Sequence, residues 1–143
     1  MKTPLSQNRR NQRGSALTEL SLIFIVVLSM LVGALDFGQF LFIHNSLTER
    51  AREGVRYGVT TSPIDTTGVQ NMVMYGTTTA GTTASFGLTS SMVVVSTSGS
   101  GTDDYRLSVL VTNYPYTIFS PWIAGSYTGP NILAELPLGA NYQ

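Results

Sequence analysis

The sequence contains no cysteine, one histidine and one tryptophan, and only 11% of its 143 residues are charged. The missing cysteine excludes a disulfide framework, a cysteine-ligated zinc centre and a thiol nucleophile. The lone histidine, His44, gives too few ligands for a metal site and cannot complete a hydrolase triad with the plentiful serines. Neither a glycine-rich phosphate loop nor a nucleophile elbow occurs, so the chain reads as non-enzymatic and without a cofactor. Proline is absent between Pro4 and Pro63, which leaves residues 5–62 able to form one uninterrupted helix. No acidic residue precedes Glu19.

What is present is strongly segregated. The formal net charge of zero conceals a split, because Lys2, Arg9, Arg10 and Arg13 all lie before Gly14. After Gly14 four basic residues stand against eight acidic ones, a net charge of −4, which speaks against a nucleic-acid partner. A basic start followed by the apolar run 20–35 predicts membrane insertion with the basic end held in the cytoplasm. As a helix rising about 1.5 Å per residue, residues 15–35 cover the roughly 30 Å hydrocarbon core. A secretory signal has a shorter apolar core and a small-residue cleavage site beyond it. Here Ala34-Leu35-Asp36 puts an acid where a small residue is needed, so a retained span is expected rather than a released domain.

Glu19 is the single charge in that segment, and a carboxylate at mid-membrane costs about 2.5 to 3.5 kcal/mol on insertion scales. It reads either as a headgroup-level residue without a role or as half of a pair. In the second reading, cleavage after Gly14 frees an α-amine on Ser15, and that amine neutralises Glu19 of a neighbouring subunit in a packed bundle.

The runs Arg13-Gly14-Ser15-Ala16-Leu17-Thr18-Glu19-Leu20, Gly33-Ala34-Leu35-Asp36-Phe37-Gly38-Gln39 and Ala51-Arg52-Glu53-Gly54-Val55-Arg56-Tyr57 together resemble the TadE-like family, pseudopilins or minor pilins of tight-adherence (type IVc) pilus systems. The resemblance covers about the first sixty residues. It implies cleavage by a dedicated prepilin peptidase at the bond between Gly14 and Ser15, with Glu19 as the acidic residue five places into the mature protein. It also implies partnership with other pilins or pseudopilins and an inner-membrane assembly platform. Leu20 replaces a frequent aromatic, Ile25 a frequent proline and Asp36 a usual Glu; losing the proline removes a kink and leaves the span intact.

Beyond Asp36, Phe37, Phe40, Leu41, His44, Leu47, Ala51, Val55 and Gly58 recur at spacings of three and four, which places them on one helical face. Glu49 with Arg52 and Glu53 with Arg56 are placed to pair at i, i+3. One helix over about 15–57 is therefore expected, membrane-buried first and amphipathic after. Small residues four apart, Ser29 with Gly33 and Ala34 with Gly38, are candidate helix-packing positions within lipid. Gly54 and Gly58 are expected to let the stalk lie close against a sheet.

After Thr60 the composition shifts to Thr, Ser and Gly. Residues 92–96 and 106–112 read as strands joined by the turn-rich stretch 97–104 into an antiparallel hairpin, with a third strand over 132–138 and a short helix over 66–74. Adjacent Asp103 and Asp104 read as a solvated turn rather than a calcium site, since no loop of alternating oxygen ligands surrounds them. The aromatic segment 114–122 carries two prolines, which disfavours a central strand and suggests an edge or a crossover. Its side chains fit an adhesive patch, a layer on the membrane surface or the domain core, and core packing is favoured because the domain has few other large apolar residues.

The expected class is α+β: a long N-terminal helix packed on a small antiparallel sheet, pilin-like. The expected organisation is a basic leader (1–14, cleaved), a transmembrane helix (15–36), an amphipathic stalk (37–58) and an exported β domain (59–143). The expected function is a structural subunit of a tight-adherence pilus, single-pass in the inner membrane with its C-terminal domain periplasmic, or associated with the filament at the cell surface. The alternative is a bitopic anchored binding module whose exported domain contacts a surface or secretion component without entering a filament.

Overall fold

The computed structural model describes residues 8–102, 104–121, 123 and 125–138, with side chains from Gly14 onward. Lys2, Asp103 and Trp122 lie outside the described residues, as do the side chains of Arg9, Arg10 and Arg13.

A single helix, α1 (Asn8–Thr60), dominates the molecule. It starts seven residues before the expected Ser15, because Asn8-Arg9-Arg10-Asn11-Gln12-Arg13 contains no breaker and arginine and glutamine are good helix formers. At its other end Pro63 forbids continuation. There the Tyr57 carbonyl, left without an intrahelical donor, accepts the hydroxyls of both Thr60 and Thr61 at 2.9 Å.

A second helix, α2 (Thr66–Tyr75), follows. Asp65 caps it by accepting the Gly68 N–H at 2.9 Å, and Gly76 closes it in the left-handed region with φ 74°, donating to the Met72 carbonyl. Two short 3-10 turns, Ser85–Gly87 and Ser90–Met92, lead into the strands.

Three strands, β1 (Val93–Ser98), β2 (Arg106–Val111) and β5 (Ile132–Pro137), form an antiparallel sheet in the order β1-β2-β5. The hairpin register pairs Val93 with Val111 and Ser98 with Arg106, and β5 joins the other edge of β2 with Ile132 opposite Val111. These are the three expected strands, with ends moved by one or two residues. Between β2 and β5 the chain leaves this sheet and forms a separate two-stranded ribbon, β3 (Pro115–Ile118) with β4 (Gly125–Thr128). The proline-bearing segment is thus excluded from the centre of the main sheet, and β4 is an element without a counterpart in the sequence reading.

The core is a sandwich of α1 and α2 against the three-stranded sheet. Ile43, Leu47, Ala51 and Val55 bury one line of α1, Val69 and Val73 one face of α2, and Leu107, Val109 and Val111 the inner face of β2. Ile43 replaces Phe37 and Leu41 of the expected stripe; both of those stay exposed. Gly58 touches the sheet as expected, since a Cβ there would collide with the Leu107 side chain and lie 2.8 Å from Val69 Cγ2. Gly54 instead faces α2, its Cβ position 2.7 Å from Val73 Cγ2. A second helix, not the sheet, therefore needs that glycine.

Candidate functional site

The first half of α1 has the character of a membrane span. Within Gly14–Thr60 an 18-residue window reaches a mean hydropathy of 2.5, and none of that window is buried by the rest of the protein. Leu22, Phe24, Val27, Met30 and Leu35 all point outward. Three hydroxyls of the segment are satisfied on the helix itself: Thr18 donates to Ser15 O at 2.8 Å, Ser21 to Leu17 O at 2.8 Å and Ser29 to Ile25 O at 2.7 Å. Such back-bonding removes the penalty of a bare hydroxyl in hydrocarbon.

Gly14 and Ser15 are exposed on the helix near its start. Glu19, one turn further, is exposed and has no ion-pair or hydrogen-bond partner among the described residues. At Gly33 and Gly38 an added Cβ would meet nothing within 4 Å, so the protein's own domain does not use the Ser29/Gly33 and Ala34/Gly38 positions.

Where the apolar run ends, α1 is clasped by the domain. Asp36 Oδ1 accepts the Phe119 N–H at 2.7 Å and Oδ2 accepts the Ser120 N–H at 3.0 Å. One turn up, the Phe40 ring meets Tyr116 with centroids 5.1 Å apart, and one turn further His44 Nδ1 and the Tyr114 hydroxyl share a hydrogen bond of 2.9 Å. Asp36, Phe40 and His44 follow one another every four residues and therefore lie along one side of the helix. Their partners run in the opposite chain direction, 119–120, then 116, then 114, so the ribbon lies antiparallel along the helix.

Tyr114 is fully buried, and burial, followed by the proximity of Tyr116, pushes its phenol above the ordinary tyrosine value. Gly129 donates its N–H to the Tyr114 carbonyl at 2.8 Å, and a Cβ there would fall within the Tyr114 ring. The segment 114–122 thus divides: Tyr114 and Tyr116 belong to the packed side, whereas Phe119 is 71% exposed.

This clasp is what sequence reasoning missed. The sequence puts His44 on the stalk's packing face and Asp36 where relatives carry Glu, with no partner named for either, and each anchors the domain. The fourfold spacing of Asp36, Phe40 and His44 marks a helix face in the sequence but does not name what that face meets.

Two ion pairs lie away from the clasp. Glu49 and Arg52 pair at 2.9 Å as expected, Asp104 and Arg106 at 2.6 Å in the hairpin turn, and both pairs are solvent-exposed. Asp104 therefore sits in a solvated turn, while Asp103 lies outside the described residues. Among the described residues no cluster of three potential metal ligands exists.

The segment carrying both the span and the helix side of the clasp has known relatives: residues 14–56 match the family model described as TadE-like protein. This N-terminal segment is TadE-like. The match speaks for this segment and does not reach the domain beyond Thr60. No curated protein and no solved structure matches the chain. The TadE-like segment includes Asp36, Phe40 and His44, whereas every residue they grip lies beyond it.

Proposed function

We propose that the protein is a minor pilin or pseudopilin of a tight-adherence pilus assembly, processed by a prepilin peptidase between Gly14 and Ser15. The observation that carries this reading is the coincidence of the TadE-like segment with a long apolar helix that its own domain leaves uncovered. A helix with an outward-facing apolar surface on every side needs lipid or other helices around it. Both are supplied in turn by a subunit that waits in the inner membrane and then packs laterally with other pilins.

In this reading the basic N-terminus stays cytoplasmic and the domain beyond Thr60 is periplasmic. The new amine of Ser15 pairs with Glu19 of a neighbouring subunit, and the uncovered small residues Ser29, Gly33, Ala34 and Gly38 admit close helix approach. The assembly supports pilus biogenesis and surface adherence.

The test is the N-terminal sequence and intact mass of the protein recovered from membranes and from sheared surface material. The expected start is Ser15, and Gly14→Leu should leave the full-length chain unprocessed. A start at Met1 in both fractions would refute processing and favour a bitopic binding module. Glu19→Ala should be cleaved yet fail to assemble; normal assembly would sink the amine pairing.

A further inference from the structure

We propose that the loop held by Asp36 is a second membrane contact, seating Phe119 and Ile123 in the headgroup and acyl boundary of the bilayer that α1 crosses. This rests on α1 being a membrane span, as above. Phe119, Ser120 and Ile123 are each tied by hydrogen bonds: Asp36 accepts the N–H groups of Phe119 and Ser120, the Ile123 N–H donates to Ser120 O at 3.2 Å, and the Tyr127 hydroxyl donates to Ile123 O at 3.1 Å. The N–H groups of Phe119, Ser120 and Ile123 are thereby paired within the protein, and Ser120 is buried. The apolar side chains are left outside, Phe119 at 71% and Ile123 at 59% exposure, with Phe37 beside Asp36 at 62%. A tightly hydrogen-bonded turn that presents large apolar side chains outward is built to meet an apolar phase.

The position of the loop selects which phase. The apolar run 15–35 is about as long as the hydrocarbon core is thick, so Asp36 falls at the boundary where the run ends. Anything bonded to the Asp36 carboxylate is held at the same depth. Phe119 and Ile123 therefore continue the lipid-facing surface of α1 sideways, at the level where aromatic side chains concentrate in membrane proteins. One helix alone leaves the domain free to turn about the helix axis. A helix plus a seated loop fixes which side of the domain faces the bilayer.

The test uses the full chain in vesicles of phosphatidylethanolamine and phosphatidylglycerol, and the absence of native cysteine allows single labels. An environment-sensitive fluorophore is placed at Pro121→Cys in the loop, at Val27→Cys in the span and at Thr102→Cys at the hairpin tip. Nitroxide lipids quench it at either shallow or deep positions. The expected result is deep quenching at position 27, shallow quenching at 121 at least about threefold stronger than at 102, and loss of the signal at 121 in the Phe119→Ser/Ile123→Ser variant.

Quenching at 27 but not at 121 overturns the loop contact and leaves the span standing. No quenching at 27 overturns the span and the loop contact with it. Quenching at 121 that persists in the double variant overturns the role of the two side chains. A label at 121 shielded only at high protein-to-lipid ratio, without lipid quenching, assigns the face to a second copy of the chain and overturns the proposal.

Discussion

The two halves of α1 are one helix in two environments. Between Gly14 and Leu35 the large apolar side chains are exposed apart from half-buried Val32, and Gly33 touches nothing; higher up Leu47, Ala51 and Val55 are fully buried and Gly54 and Gly58 are pressed against side chains. Both are rich in Leu, Val and Gly, but Glu49, Arg50, Arg52, Glu53 and Arg56 all fall in the upper half, and residues 20–35 carry no charge. The lower half is apolar on all sides, whereas the upper half buries chiefly the line Ile43, Leu47, Ala51 and Val55, residues four apart. A helix apolar all round asks for a surrounding medium, and a helix apolar on one side asks for a domain.

That contrast is sharpest when equal substitutions are made in both halves. Leu47→Ala should cost the domain about 2 to 5 kcal/mol, through lost burial and the cavity left behind, in denaturant unfolding of the full chain in micelles. Leu22→Ala, which removes the same atoms from an uncovered site, should stay within about 0.5 kcal/mol in that assay.

Glycine gives a smaller version of the same comparison. Gly58→Val must displace Leu107 and Val69, and should destabilise by about 1 to 3 kcal/mol, whereas Gly33→Val should leave domain unfolding unchanged. A cost at Gly33 as large as at Gly58 would show that the lower half is packed against something in the micelle.

The smallest effect is at the clasp. Tyr114→Phe removes the hydrogen bond to His44 and should cost about 1 kcal/mol near neutral pH. Because the folded phenol holds its proton above the ordinary value of 10.0, the unfolded chain deprotonates first as pH rises. Native stability therefore falls once pH climbs past that value, down to the loss completed above the folded pKa. Tyr114→Phe should remove that part of the decline, read as a flatter stability profile above pH 10.

How much of this was legible follows from where each signal resides. The long helix, α2 and three strands of the main sheet were readable because periodicity and turn residues are local properties. The strand β4 was not, since Gly125, Ser126, Tyr127 and Thr128 are all exposed and show no alternation. The pairing of Asp36 had no signature because its partners are backbone N–H groups, which every residue but proline possesses. His44 finds its partner 70 positions away, and single-sequence patterns do not carry that distance. Gly54 was readable as a close approach, but not whether a helix or a sheet would do the approaching.

The clasp also dictates the order in which the molecule can be completed. Asp36 is made early, yet the two amides it binds lie 83 and 84 positions later. β2, the middle strand of its sheet, must wait for Leu136 and Pro137 to close its free edge. Until almost the entire chain has emerged, α1 and α2 can meet but the end of the domain nearest the span stays open. Closing so long a loop carries an entropic cost that only the finished C-terminal segment offsets. A chain interrupted before Phe119 would retain its whole apolar helix and lack the two amides that tie the domain to it at the edge of the span.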